Sequence, residues 1–398
     1  MNTRRFRGFL SSLTTSMTFN FDTLIDRRDT GSTKWSRYPA DVLPMWVADM
    51  DLPVANAITE ALHKRLEHPQ LGYSVAQDAL RQAIIADLWS KYAWRVEPQE
   101  LIFLPGVEPG FNMALHAFVQ PGQNVVVQTP NYRPLRLAPG HWNLPKVELE
   151  FERDAQGDYV TPFGALRNAL QGGGALLLSN PHNPLGKVFP REELQQVADI
   201  CLEQGALIVS DEIHADLCFD GRRHVPIASL SPEIAQRTIT LMSASKAYNI
   251  AGLKTAYAIV QDPAVRERFN AARSGMVDSV NALGLEATCT AYTECGGWLA
   301  GLMEYLQANR DYLQHAVETR LPGVLLRPAQ GTYLAWLDCS ALGLADPYQF
   351  FLEEAKVGLS AGIEFGDDAQ QFVRLNFGCP RALLEEGISR MEQSLRRR

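Results

Sequence analysis

The chain predicts an α/β fold: a three-layer αβα large domain around a mainly parallel sheet, followed by a smaller α+β domain. Three observations carry this expectation. Short, wholly apolar runs recur from about Leu101 to Val260, each ending in turn residues. Helical patterns lie between several of them, as in REELQQVADICLEQG (191–205), which Gly205 closes as a C-terminal stop. With 398 residues, the chain exceeds the size at which a single core keeps growing, so two domains are expected.

The runs read in order as strands: LIFLPG (101–106), NVVVQTP (124–130), ALLLSNP (175–181), ALIVSDE (206–212), TITLMSAS (238–245) and TAYAIV (255–260). Strands apolar on both faces belong to a parallel sheet that helices cover on both sides. From about Trp298 a long helical pattern leads into VLLRPAQGTYLAWLD, then FVRLNFG and a basic final helix, which is the smaller domain. At the other end, MNTRRFRGFLSSLTTSM (1–17) has an apolar stretch too short and broken for a signal peptide. It reads as a disordered extension, or as sequence upstream of a start at Met17.

Composition narrows the function. A formal charge of −8 disfavours general affinity for nucleic acid or anionic membranes. No apolar run approaches the roughly 18 residues of a membrane span. Cys201, Cys218, Cys289, Cys295, Cys339 and Cys379 show neither CxxC nor metal-ligand spacing, which reads as reduced thiols in a cytoplasmic protein. Asp49 and Asp51 lack His or Cys partners at ligand spacing, so no metal site is expected.

Chemistry gathers at strand ends. Asn183 and Asp211 each follow one of the apolar strands, and Lys246 follows a third in SASKAYNIAGLK (243–254). Open α/β sheets bind ligands outside the carboxyl ends of their strands. Singly, these are a turn amide, a helix cap and a solvated lysine. Together they are the three groups that hold pyridoxal phosphate. The lysine forms a Schiff base with the aldehyde, the carboxylate keeps the pyridine nitrogen protonated, and the amide donates to the ring oxygen.

These motifs resemble the fold-type I pyridoxal-phosphate enzymes, the aspartate aminotransferase superfamily. Within it the chain is most similar to the cystathionine β-lyase (C–S lyase) branch, the MalY/PatB family. FDTLIDRRDTGSTKW (21–35), LPMWVADMDLP (43–53), NPHNPLGKV (180–188), SDEIH (210–214), GTYLAWLD (331–338) and FVRLNFGCP (372–380) carry that likeness. The resemblance implies a large cofactor-binding domain over 61–297, a small domain over 298–398, and an arm over 18–60 joining the small domain.

The phosphate needs a cradle. PGVEPGF (105–111) follows a strand and opens a helix, so amides at Gly106, Val107 and Glu108 face an anion there, beyond the plain strand–helix turn they otherwise make. Ser243, Ser245 and Lys254 add hydroxyls and charge; similar enzymes commonly have arginine at the position of Lys254. By resemblance, Tyr132 stacks on the ring and His214 stands near the ring oxygen. Tyr73 reaches the phosphate from the partner subunit of a homodimer, and Arg374 grips the substrate α-carboxylate as only a planar fork does. Ala48 offers a backbone contact to the same carboxylate. The alternatives are a core or interface tyrosine at 132, a structural histidine at 214 and a packing residue at 73.

The branch implies β-elimination of cystathionine or cysteine S-conjugates to a thiol, pyruvate and ammonia. An aminotransferase on the same scaffold remains open, because the core site alone does not choose between elimination and transamination. A regulatory or interaction protein that retains the fold is the third reading.

Overall fold

The structure, a computed structural model, describes residues 19–398; the extension expected over 1–17 lies outside them. Seven strands form the main sheet: β1 (Leu101–Leu104), β2 (Val125–Thr129), β3 (Lys146–Glu150), β4 (Ala175–Ser179), β5 (Leu207–Asp211), β6 (Thr238–Met242) and β7 (Ala256–Ile259). Their order is β1-β7-β6-β5-β4-β2-β3. The pairs from β6 through β3 are parallel, and β7 runs antiparallel to both neighbours. The mainly parallel α/β sheet expected from the apolar runs is present.

Alternation along the strands builds the three layers. Val125, Val127, Leu177, Val209 and Leu241 point to one face, against α2 (Val107–Phe118), which follows α1 (Asp78–Tyr92). On that helix Val107, Phe111, Ala114 and Leu115 form the buried stripe, at the spacing that puts side chains on one helical face. Val126, Leu176, Leu178 and Ile208 point the other way, against Leu194, Val197, Ala198 and Cys201 of α3 (Arg191–Gln204). Beside them Leu80, Ile84 and Leu88 of α1 cover Leu101, Phe103, Tyr257 and Ile259. Each such apolar side chain contributes roughly 1.5–3 kcal/mol by leaving water.

Glycine fixes how near α2 comes. A Cβ at Gly110 would sit 2.6 Å from Leu241 Cδ2, so a larger residue there would push α2 off β6. The helix N-terminus is thereby held at the strand ends.

A second, antiparallel sheet has the order β8-β9-β11-β10, from β8 (Leu325–Leu326), β9 (Leu334–Asp338), β10 (Ser360–Ala361) and β11 (Phe372–Asn376). In chain order α4 (Ala282–Glu294) and the long α5 (Gly296–Arg320) come between the strands of the two sheets; α6 (Arg381–Arg396) closes the chain. The N-terminal segment shares this second core. Phe21 packs edge-on to Trp298 at 5.8 Å, and Met45 and Met50 join Leu302, Leu306 and Phe377. Leu43–Pro44 also pairs in parallel with Val357–Gly358.

Among the described residues no helix is long and apolar enough to cross a membrane, and no His/Cys/Asp/Glu group is arranged to hold a metal ion.

Candidate active site

A cavity of about 650 Å³ opens at the carboxyl ends of the main strands. Ser179 and Asp211, paired in register, are the last residues of β4 and β5, and Ser243 directly follows β6. The chain therefore leaves the sheet at three adjacent points, and the residues just beyond them line one space. Asn183, Asp211, His214, Ser243, Ser245, Lys246 and Lys254 all do so, with Gly106, Val107, Glu108 and Tyr132 from the α2 side and Ala48 and Arg374 from the second core. Tyr73 does not line its own chain's cavity. It is fully exposed in the loop before α1, between exposed Leu71 and Val75.

Asp211 is a buried acid without an ionic partner among the described residues. Its carboxylate accepts only from the Ile213 amide, at 3.2 Å. Burial pushes its carboxyl up to about 7, against the pull of that amide and of Lys246. Lys246 Nζ donates to the Ala48 carbonyl at 2.7 Å. Burial, then the Arg374 charge, brings its ammonium down to about 8, while Asp49, Asp211 and Glu108 oppose. An amine that loses its proton near neutrality is suited to nucleophilic and base chemistry.

Arg374 is only 5% exposed and has no acid against it among the described residues. Its Nη1 donates to Asn183 Oδ1 at 2.8 Å and its Nη2 to the Trp46 carbonyl at 2.8 Å and Ser360 Oγ at 3.2 Å. The guanidinium stands 4.7 Å over the Phe365 ring, and its Nε has no partner. Burial lowers it to about 10. A buried, unpaired guanidinium is a site for a carboxylate.

The Ser243 hydroxyl donates to the Thr255 carbonyl at 2.6 Å, and Ser245 Oγ lies 2.7 Å from it. Lys254, left-handed with φ 48°, is exposed at the cavity edge. Opposite them, Gly106 caps α2 and leaves its first amides free for an anion. The Tyr132 hydroxyl donates to Glu108 Oε1 at 2.6 Å; burial, then that carboxylate, raises it well above a free phenol. His214 is buried with Nδ1 unpartnered and its ring edge-on to Tyr333 at 6.1 Å. Burial, then the charges of Lys246 and Arg374, keep that imidazole neutral.

Ala48 turns its carbonyl to Lys246, and Tyr333 donates to the same oxygen at 2.9 Å. That oxygen repels a carboxylate, so any contact of Ala48 with the substrate carboxylate falls to its amide. Trp46, Ser360, Phe365 and Tyr333 escaped the sequence reading. Ser360 and Phe365 sit in segments with no apolar-strand signal of their own; Tyr333 and Trp46 lie inside quoted motifs but act through a long-range hydroxyl contact and a backbone carbonyl. The groups present fit pyridoxal phosphate: an unpaired buried acid for a pyridinium, an amine for an aldehyde, and a helix N-terminus with hydroxyls and an ammonium for a phosphate.

Residues 41–391 match the family model for aminotransferase class I and II. Cystathionine beta-lyase PatB of Bacillus subtilis (strain 168) is 38% identical, over 94% of this chain and 100% of its own. Among solved structures, OvoB superimposes with TM-score 0.91 at 42% identity, covering 95% of this chain and 99% of that one. Cystalysin from Treponema denticola, which contains a pyridoxal 5'-phosphate cofactor, gives TM-score 0.92 at 30% identity over 96% and 100%. The likeness to fold-type I enzymes of the MalY/PatB kind, read from the motifs, is borne out across nearly the whole chain. This chain belongs to the aminotransferase class I and II family.

Proposed function

We propose that the chain is a pyridoxal-phosphate-dependent carbon–sulfur β-lyase that converts cystathionine and cysteine S-conjugates to a thiol, pyruvate and ammonia. The observation that carries this reading is the convergence of Lys246, Asp211, Asn183 and Arg374 on one cavity, in a chain 38% identical to a cystathionine beta-lyase. When bound, pyridoxal phosphate supplies an aldehyde for the substrate amine and a ring that draws electrons from Cα.

The protein's residues do the rest. Asp211 holds a proton at the ring nitrogen, and the absence of any other cation against its carboxylate supports that role. Asn183 gives its oxygen to Arg374 and keeps its amide hydrogens for the ring oxygen. His214, neutral and with Nδ1 free, faces the same oxygen. Tyr132 stacks on the ring. The amides of Gly106, Val107 and Glu108 bind the phosphate, with Ser243, Ser245 and Lys254. Arg374 takes the α-carboxylate by its fork, assisted by the Ala48 amide, and so orients Cα toward Lys246. Lys246 would hold the cofactor through its Nζ and, with that amine free, would take the α-proton there. Departure of the thiolate from Cβ follows, and the three-carbon remainder hydrolyses to pyruvate and ammonia.

Homodimerisation with shared sites, Tyr73 entering the partner's cavity, belongs to this reading, and the exposed Leu71–Tyr73–Val75 run supports it. A cytoplasmic location agrees with six free thiols. Transamination is the second reading, favoured by the family description. Incubation with cystathionine, with and without a keto acid, separates the two. The lyase releases pyruvate and thiol without an acceptor; strict dependence on the keto acid, with no pyruvate, assigns transamination.

A further inference from the structure

The KW and DMD motifs meet in space, outside the cavity. Lys34 and Asp51, 1% and 3% exposed, form a buried ion pair with Nζ 2.6 Å from Oδ2. Trp35 Nε1 donates to the other Asp51 oxygen at 2.7 Å, and Arg27 Nη1 reaches it at 2.6 Å. Arg27 also grips Asp49 with both terminal nitrogens, at 2.7 and 3.2 Å. Lys34, Trp35 and Arg27 overcome the effect of burial and hold the Asp51 carboxyl below the usual range.

This network fixes an irregular loop that forms one wall of the active site. Asn376 donates to the carbonyls of Val47 and Asp49, and Asn249 to those of Met50 and Leu52. Lys34 adds a bond to the Asp49 carbonyl at 3.2 Å. The remaining carbonyls turn inward: Trp46 to Arg374, Ala48 to Lys246. The DMD acids thus stand directly behind the carbonyl that holds the lysine.

We propose that the Arg27–Asp49 pair sets the proton affinity of Lys246 from outside the cavity, with Lys34–Asp51 as the anchor that fixes where that pair sits. Arg27 and Asp49 are then positioning residues; the inference rests on Lys246 being the base of the lyase reading. The groups facing Lys246 are Arg374 from β11, Asp211 at the end of β5 and His214 beyond it, Glu108 from α2, Tyr333 beside β9, and Asp49 from the loop. Asp49 directly follows Ala48, whose carbonyl accepts from Lys246 Nζ at 2.7 Å, and its negative charge favours the ammonium. Its effect depends on how far Arg27 neutralises it. Asp49 is 27% and Arg27 21% exposed, so both tolerate polar replacement without opening the core.

The test uses the full chain stripped of cofactor. Acylation of Lys246 by an N-hydroxysuccinimide ester, followed across pH by peptide mass spectrometry, requires the neutral amine. Arg27→Gln leaves Asp49 only the more distant Lys34 ammonium, 3.9 Å from its Oδ1, so more of its negative charge is felt and Lys246 keeps its proton to higher pH. Labelling at a fixed pH below the midpoint falls on the order of three-fold, which corresponds to half a pKa unit. Asp49→Asn moves it the opposite way, and Arg27→Gln/Asp49→Asn returns it close to the parent. Shifts of equal sign, or none, in the folded single variants overturn the proposal. If Arg27→Gln does not fold, the sign for Asp49→Asn decides alone. Labelling is read without cofactor or turnover, so opposed shifts without pyruvate release would sink the lyase reading and leave the charge coupling standing.

Discussion

Arg374 Nη1 donates to Asn183 Oδ1 across 2.8 Å, joining the second sheet to the turn beyond β4. One side chain thereby orients another: the guanidinium fixes the amide, and the Asn183, Trp46 and Ser360 bonds fix the guanidinium at the cavity wall. Lysine at 374 keeps the charge but cannot bond Asn183, Trp46 and a carboxylate together. Arg374→Lys is expected to cost about 1.5–3 kcal/mol in kcat/KM, the scale of a charged hydrogen bond. Steady-state kinetics should show the loss for amino-acid substrates while the cofactor's visible absorption persists. Unchanged kcat/KM with lost absorption would make Arg374 a structural residue.

Burial makes ionisation of Asp211 costly to the fold. Its folded carboxyl is raised to about 7, so the protonated form is favoured in the fold. A raised value means the contribution is fully present below the unfolded carboxylate range and is lost as pH climbs through about 7. Without cofactor, Asp211→Asn should therefore be more stable than the parent at pH 8, by roughly 2–4 kcal/mol, with the curves converging near pH 4. Denaturant melts at the two pH values test this. The same variant should lose most of its lyase activity, since an amide does not keep a proton on the ring nitrogen. Equal stability at both pH values would mean that Asp211 is solvated or already paired.

What the sequence made legible follows from burial. β2, β4, β5 and β6 are covered on both faces, so they read as short, mostly apolar runs without polar alternation, and Asp211 and Asn183 stood out at their ends. The readings overran only at the turns: LIFLPG extends past Leu104, where the strand stops. β3, KVELE, was invisible because it is an edge strand whose residues are half-buried or exposed. Lys34–Asp51 could not be found either. An ion pair 17 residues apart has no local signature, and the DMD acids taken alone suggested only that no metal was bound. Backbone contributions were equally hidden, because the carbonyls of Trp46 and Ala48 depend on the path of the loop, not on side-chain type.

Gly284 packs against the loop that carries Lys254. Asn281 caps α4 through the Gly284 amide at 2.7 Å and donates to the Leu253 carbonyl at 2.6 Å. A Cβ at Gly284 would lie 2.0 Å from Thr255 Oγ1 and 2.5 Å from the Leu253 carbonyl oxygen. Those residues flank Lys254, and the Thr255 carbonyl receives the hydroxyls of Ser243 and Ser245. Backbone cannot yield as a flexible side chain does. Gly284→Ala should destabilise by about 1–3 kcal/mol and raise the dissociation constant for cofactor. A fluorescence titration with pyridoxal phosphate measures the second effect; a normal constant would show that the cradle does not depend on α4.

Tyr73 poses the sharpest test of shared sites. It is fully exposed and lies outside its own chain's cavity, yet a phenol at this place resembles one that meets the partner's phosphate. A phenol donating to a phosphate oxygen makes a charge-assisted hydrogen bond, so Tyr73→Phe should weaken cofactor retention while leaving the fold intact. Loss of one such bond, about 1.5–3 kcal/mol, corresponds to a rise of roughly ten- to a hundred-fold in the dissociation constant. Complementation then locates the residue. Tyr73→Phe is mixed with Lys246→Ala at limiting cofactor under conditions that exchange subunits. If Tyr73 acts across the interface, a mixed dimer gathers both lesions in one site and leaves the other whole. Activity should recover toward half that of the parent in those mixed dimers. No recovery, with exchange demonstrated by native mass spectrometry, would assign Tyr73 to its own subunit or remove it from the site.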